Sequence, residues 1–310
     1  MEFKHKSVLL EETIDNLNIK PDGIYVDGTI GGAGHALKVC ERLSDKGRLI
    51  GFDQDADAIH AAGERLCDYA DRVTVIRSNY CHMREELEVR GITQVDGILL
   101  DLGVSSFQLD SPDRGFTYRV DAPLDMRMSR EGVSAADLVN TMTWQELARV
   151  ISRYGEDRNA VRIAKGIVKA REEKPIATTL QLADIIRRSV PAAVRREPGH
   201  PARKTFQALR IQVNGELDNL SRGLDTAFEL LRPDGRLAVI TFHSLEDRIV
   251  KRRMNDWCTG CICPPDFPVC VCGRKPRAEL LYKRGISPSE QEVAENPRSR
   301  SARLRVCTKL

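Results

Sequence analysis

Residues 24–53 read IYVDGTIGGAGHALKVCERLSDKGRLIGFD, and this stretch decides the fold. Its first four residues, IYVD, read as one short buried strand ending on Asp27. Residues 27–35, DGTIGGAGH, follow at once. Glycines there allow a sharp turn and let the backbone approach a ligand with no Cβ in the way. Residues 35–43 (HALKVCERL) have helical spacing. Residues 48–53 (RLIGFD) form a second strand ending on Asp53, 19 residues after Gly34. A carboxylate at that distance suits hydrogen bonding to ribose hydroxyls. A glycine loop alone is a weak signal. Strand, loop, helix, strand and acid in this order indicate a nucleotide site on an α/β sheet.

The alternation continues outward. Residues 55–69 read as a helix, 72–76 (RVTVI) as a third strand and 96–101 (DGILLD) as a fourth. Strands alternating with helices imply a parallel, doubly wound sheet with its strand C-termini on one edge, where ligands bind. After residue 105 the rhythm changes. Residues 106–130, with Pro112, Gly115 and Pro123, are loop-like, and helical patterns follow at 134–141, 143–154, 157–173 and 178–189. A long helix over 206–231 and a tight turn at Pro233, Asp234 and Gly235 lead into a strand at 236–242 (RLAVITF). Residues 303–308 (RLRVCT) supply one more strand, expected at an edge. The expected fold is α/β: a discontinuous Rossmann-like domain, 1–105 and 206–310, with an inserted all-helical domain over 106–205.

Both NAD and S-adenosylmethionine use such a sheet, and three features favour the second. Asp27 ends the first strand, where it can accept from a methionyl ammonium. Asn79 and Tyr80 follow the third strand, placed to stack on or edge an adenine. Asp101 ends the fourth strand, followed by LGVSS. A pocket lined by Asp27, Asp53 and Asp101 favours a cationic sulfonium and repels a pyrophosphate.

Charge is segregated along the chain. Residues 1–105 carry a net −7, 106–205 a net +5, 206–247 a net −3 and 248–310 a net +8. Such alternation suits a polyanion held by the basic parts, although solvated helix faces give the same pattern. No apolar run approaches the ~20 residues that span a bilayer. The first twenty residues lack an apolar leader core, so the expected location is the cytoplasm, with no membrane contact.

The stretches DGTIGGAGH (27–35), FDQD (52–55), DLGVSSFQLD (101–110), RGF (114–116), LDMRM (124–128), HPARKTFQALRI (200–211), TFHSLEDRIVK (241–251) and ENPRSRSARLR (295–305) together resemble the MraW/RsmH-type methyltransferases. The likeness covers nearly the whole chain. It implies an S-adenosylmethionine-dependent enzyme with a Rossmann-like domain and an inserted helical domain that recognises substrate. It implies methylation of N4 of a cytidine in the decoding region of 16S small-subunit ribosomal RNA. Cofactor contacts are implied at Ala33, Gly34, His35, Asp53, Tyr80, Asp101 and Gln108. Position 80 is Tyr where relatives often carry Phe, which keeps a stacking face.

Cytosine N4 is a poor nucleophile, so transfer needs alignment, an acceptor for its proton and little water. Many amino-methyltransferases end the fourth strand with Asp or Asn, two prolines and an aromatic. Here Asp101 keeps the acceptor, but Leu102 and Gly103 follow. Asp101 is the candidate acceptor. His243, at the end of strand 236–242, is a second catalytic candidate, while Glu246 and Asp247 suit the N-terminus of the next helix. Arg195, Arg196, Arg203, Lys204, Arg298, Arg300, Arg303 and Arg305 are candidates for RNA phosphates. Phe116 and Tyr118 are candidates to stack on an extruded base, or to pack a core.

Four cysteines, Cys40, Cys67, Cys81 and Cys307, are scattered and read as small buried hydrophobes. The other five, Cys258, Cys261, Cys263, Cys270 and Cys272, offer enough thiolates for tetrahedral zinc or form an unliganded loop. Nothing calls for a catalytic metal. Two other readings stay open: a DNA amino-methyltransferase, and a nucleic-acid-binding protein with no enzymatic activity.

Overall fold

Apolar runs alternating with helices build a sheet in the computed structural model, which describes residues 7–264 and 269–310, apart from the side chain of Ser106. The chain enters through α1 (Leu10–Leu17). It then alternates β1 (Ile24–Asp27), α2 (Gly34–Cys40), β2 (Arg48–Asp53), α3 (Ala56–Arg65), β3 (Val73–Arg77), α4 (Met83–Glu88) and β4 (Val95–Asp101). Seven helices follow: α5 (Ser106–Asp110), α6 (Ala135–Thr141), α7 (Trp144–Gly155), α8 (Ala160–Glu173), α9 (Thr179–Ser189), α10 (Ala192–Arg195) and α11 (Arg203–Asn214). The sheet resumes through α12 (Glu216–Leu230), β5 (Leu231–Thr241), α13 (Ser244–Cys258), β6 (Ala278–Leu280), α14 (Glu290–Glu295) and β7 (Arg303–Lys309).

The seven strands lie in the order β3-β2-β1-β4-β5-β7-β6. β1 pairs in parallel with β2 and β4, and β4 with β5, while β7 runs antiparallel to β5 and β6. The chain winds outward from β1 to β3, then returns to place β4 on the other side of β1. That reversal opens a crevice beyond the C-termini of β1 and β4, where open α/β sheets bind ligands. Helices cover both faces. Leu220, Leu224, Phe228, Val250 and Trp257 of α12 and α13 pack on one face, and Ile14, Leu17, Ala36 and Val39 of α1 and α2 on the other. With both faces covered, β4 is buried from Val95 to Leu100, so it reads as a continuous apolar run.

The chain divides into two compact units, one formed by the residues up to Gly103 with Leu217–Leu310, the other by Val104–Glu216. The second is helical. Phe116, Leu124, Met126, Leu147, Ile151, Ile163, Ile167, Leu182, Ile186, Phe206 and Leu209 form its core. Capping boxes set the starts of four of its helices, pairing Ser105 with Gln108, Ser134 with Asp137, Thr143 with Glu146 and Thr178 with Gln181. The buried Arg114 guanidinium donates to the carbonyls of Arg127 (3.0 Å) and Met128 (2.8 Å), fixing the loop after α5.

Several expectations need correction. Residues 206–231 are not one helix: α11 ends at Gly215, whose φ of 60° turns the chain left-handed, and α12 starts afresh. α11 belongs to the compact helical unit Val104–Glu216. β5 begins at Leu231 rather than 236. Leu231 pairs with Val95 and Arg236 with Gly97, so Pro233, Asp234 and Gly235 form an irregularity inside the strand. β7 is interior, because β6, too short to stand out in sequence, takes the edge. Cys67 is exposed, whereas Cys40, Cys81 and Cys307 are buried. Residues 106–130 include α5 and a single 3-10 turn at Pro112–Arg114.

Candidate active site

The cradle forms between β1 and α2. Asp27 ends β1 almost fully buried, and its Oδ1 accepts the Thr29 amide at 3.1 Å. The Gly28 and Ile30 amides donate to the carbonyls of Leu99 (2.8 Å) and Phe52 (2.8 Å), lacing the loop to both neighbouring strands. Ala33 is left-handed, with φ 56°, and caps α2. A Cβ on Gly34 would lie 1.9 Å from the Ser7 Oγ, so any larger residue there pushes the Ser7 side chain aside. Asp53 closes the loop from β2: its Oδ2 accepts the Gly31 amide (3.0 Å) and its Oδ1 the Asp55 amide (2.9 Å). Asp53 thus shapes the loop as well as presenting a carboxylate.

Asp101 lies at the end of β4, and its amide donates to Thr29 Oγ1 at 2.6 Å. Its Oδ2 is 3.7 Å from His35 Nδ1, while its Oδ1 is buried with no hydrogen-bond partner. Such an atom costs free energy unless something supplies a donor. His35 itself is buried, its Nε2 3.1 Å from the Val8 carbonyl, so it braces Asp101 from behind. The Tyr80 ring lies against α12: a Cβ on Gly223 would meet its Cε2 at 2.5 Å. Asn79 caps the turn at Tyr80, its Oδ1 accepting the Cys81 amide at 3.0 Å. Gln108 belongs to the helical unit. Its Oε1 accepts the Ser105 amide (3.0 Å) and its own amide donates to Ser105 Oγ (3.1 Å), a capping box for α5.

His243 follows β5, whose Ile240 pairs with Asp101. Its Nδ1 accepts the Glu246 amide at 3.4 Å, making it the N-cap of α13, and its buried Nε2 lies 3.2 Å from Glu246 Oε1. Glu246 Oε2 accepts the Phe242 (2.8 Å) and His243 (3.3 Å) amides, as a capping residue should. Asp247 instead forms a two-pronged pair with Arg305, at 2.7 and 3.0 Å. Arg305 is therefore buried structure and leaves the set of RNA candidates. Arg303 donates to the Arg284 carbonyl at 2.6 Å. Phe116 is in the core of the helical unit, and Tyr118 stacks on His200 (centroids 4.7 Å apart), so both aromatics pack that unit. Thr29 and the brace from Ser7 and Val8 were missed in sequence, because a turn threonine and an N-terminal serine carry no distinctive signal.

Burial dominates the electrostatics. It pushes Asp27 up to about 7, the Thr29 amide opposing and the Asp53 charge adding to it. Burial pushes Asp53 up to about 6 against the amides of Asp55 and Gly31. Asp101 lies well above the usual carboxylate range, first through burial and then through the charges of Asp27 and Glu246. The folded chain holds these protons more tightly than the unfolded one. For Asp27 and Asp53 the contribution to stability is complete below about pH 4 and is lost as pH rises through 6 to 7. A cationic ligand reverses the preference by stabilising the ionised carboxylates. Affinity for S-adenosylmethionine is therefore expected to climb from about pH 5 to 8, by at most about tenfold per unit for each proton released. Calorimetry across that range checks this, and a flat profile contradicts it.

This strand order, with an antiparallel β7 between β5 and β6, and an acid-lined cradle at the β1–β4 reversal define a Rossmann-like S-adenosylmethionine-dependent methyltransferase. The chain belongs to the MraW methylase family, which it matches over residues 2–310. Ribosomal RNA small subunit methyltransferase H of Lachnospira eligens is 60% identical over 307 residues, covering 99% of this chain and 98% of that one. Proteins of the same name from Symbiobacterium thermophilum and Clostridium botulinum are 55% and 53% identical over 311 residues, covering all of this chain and 98% and 100% of theirs. Among the described residues no helix is long and apolar enough to cross a membrane.

Proposed function

We propose that this chain methylates N4 of a cytidine in the decoding region of 16S ribosomal RNA, acting in the cytoplasm on RNA within the small subunit. The names of its full-length relatives support ribosomal RNA of the small subunit as the substrate. The observation that carries the amino-group chemistry is Asp101 Oδ1, a buried acceptor with no donor at the ligand edge of the sheet.

The donor set fits S-adenosylmethionine, with Asp27 toward the ammonium, Asp53 toward the ribose, Ala33 and Gly34 giving close backbone approach, and Tyr80 beside the adenine. When bound, it supplies an electrophilic methyl group. Asp101 accepts a hydrogen bond from the cytosine N4–H, holds the nitrogen in line and takes the proton as the N–CH3 bond forms. His243, with Nδ1 committed to the helix cap and Nε2 lying 3.2 Å from Glu246 Oε1, is proposed as a second residue beside the base, reached by turning Nε2 from that carboxylate. Gln108 is proposed nearer the reacting end. The helical unit, residues 104–216, is proposed to recognise substrate, with exposed Arg195, Arg196 and Arg203 on phosphates.

The test is mass mapping of 16S RNA, as free RNA and as purified subunits, after incubation with the chain and the methyl donor. A single methyl on N4 of a decoding-region cytidine supports the proposal. Methylation of DNA alone, or of another RNA atom, defeats it.

A further inference from the structure

The loop between α13 and β6 holds a group of side chains that methyl transfer does not use. Its base is closed by Arg274, which donates to Asp256 Oδ1 at 2.8 Å, and by the Arg277 amide, which donates to the Trp257 carbonyl at 2.8 Å. Beyond that closure, Cys261, Cys263, Cys270 and Cys272 bring their Sγ atoms within 4.8 Å of one another. Cys261 and Cys270 are 3.3 Å apart, Cys270 and Cys272 3.6 Å, and Cys261 and Cys272 3.7 Å. Four thiolates around one zinc, each bonded at about 2.3 Å, place their sulfurs about 3.8 Å apart.

The two C-x-C pairs explain the convergence. Each pair directs its two thiols toward the cluster and the residue between them away. Ile262 and Val271, the intervening residues, are 61% and 74% exposed, and Val269 is 70% exposed. A loop folded to bury apolar surface would turn these three inward. This one is organised around its sulfurs instead. The fifth cysteine, Cys258, is the last residue of α13 and packs against the core that contains Cys307.

We infer that Cys261, Cys263, Cys270 and Cys272 form a tetrathiolate site for a single structural zinc ion, with Cys258 outside it. Residues 265–268, between the two pairs, lie outside the described residues, and no ligand is drawn from them. Four sulfurs this close suit one ion and leave no space for the inorganic core of an iron–sulfur cluster. With four protein ligands the ion has no open position, so it ties the loop together and takes no part in methyl transfer.

Elemental analysis of the full chain, made without a metal-binding tag and kept reduced, tests this. One zinc per chain is expected in the wild type and in Cys258→Ser, and below a tenth of an equivalent in Cys261→Ser and Cys270→Ser. In the wild type, zinc removal by a chelator should expose four more thiols to a thiol reagent. Cobalt(II) added to the stripped protein should then give the visible spectrum of a tetrahedral thiolate site, abolished by zinc. No stoichiometric zinc in the wild type, iron in its place, or loss of zinc from Cys258→Ser overturns the assignment.

Discussion

Asp101→Ala is expected to lower kcat by about a thousandfold at saturating S-adenosylmethionine, with donor affinity changed less than tenfold. The amide of residue 101 still donates to Thr29, so the loop keeps its shape. What disappears is, among the described residues, the one buried carboxylate oxygen without a partner and, in the proposed mechanism, the acceptor for the N4 proton. A positioned general base contributes about 10²–10⁴-fold. Asp101→Asn separates two roles. Its amide oxygen can still accept a hydrogen bond but cannot take a proton, so kcat should fall almost as far as in the alanine variant. If both variants turn over near the wild-type rate with saturating donor, Asp101 serves the cofactor alone. Single-turnover methylation beside calorimetry makes the distinction.

Asp53→Ala is expected to weaken S-adenosylmethionine at least a hundredfold, mainly in binding rather than in kcat. Two losses combine. In the proposed donor pose the ribose loses its acceptor, and the Gly31 and Asp55 amides lose theirs. A buried donor left unsatisfied costs about 1–3 kcal/mol, so the glycine loop should loosen before any ligand arrives. Asp53→Asn keeps one side-chain oxygen and should recover part of the binding. Calorimetry with a parallel Tm measurement separates pocket damage from unfolding. Donor binding within threefold of wild type in both variants removes Asp53 from the ribose.

The carboxylates of this pocket were legible in sequence because each ends a strand. Asp27, Asp53 and Asp101 close short apolar runs, and a strand's C-terminus in a parallel sheet is a position that local pattern alone identifies. The packing roles of their neighbours were not legible. His35 sits within the glycine motif, yet its ring is held by Val8, 27 residues earlier, and reaches Asp101, 66 residues later. Arg305 looks like one more base in an arginine-rich tail. Only folding brings Asp247 against it and converts a candidate phosphate ligand into a buried ion pair. Tyr80 keeps its place after β3, but its ring is seated on a glycine of α12, more than a hundred residues away.

Strand order beyond β4, the break at Gly215 and the edge position of β6 were likewise beyond the pattern. A three-residue strand has no periodicity, and a glycine inside a helical run reads equally as a tolerated residue or as a cap. By itself, the sequence determined the α/β class, the glycine cradle, the three acids and the cysteine cluster, since local spacing and hydrophobic period encode all of these. Only the tertiary structure decided which four of five thiols converge, which arginines stay exposed and which carboxylate oxygen is left without a donor. Each of those depends on side chains far apart in the chain being brought within a few ångströms, and that distance is set by packing.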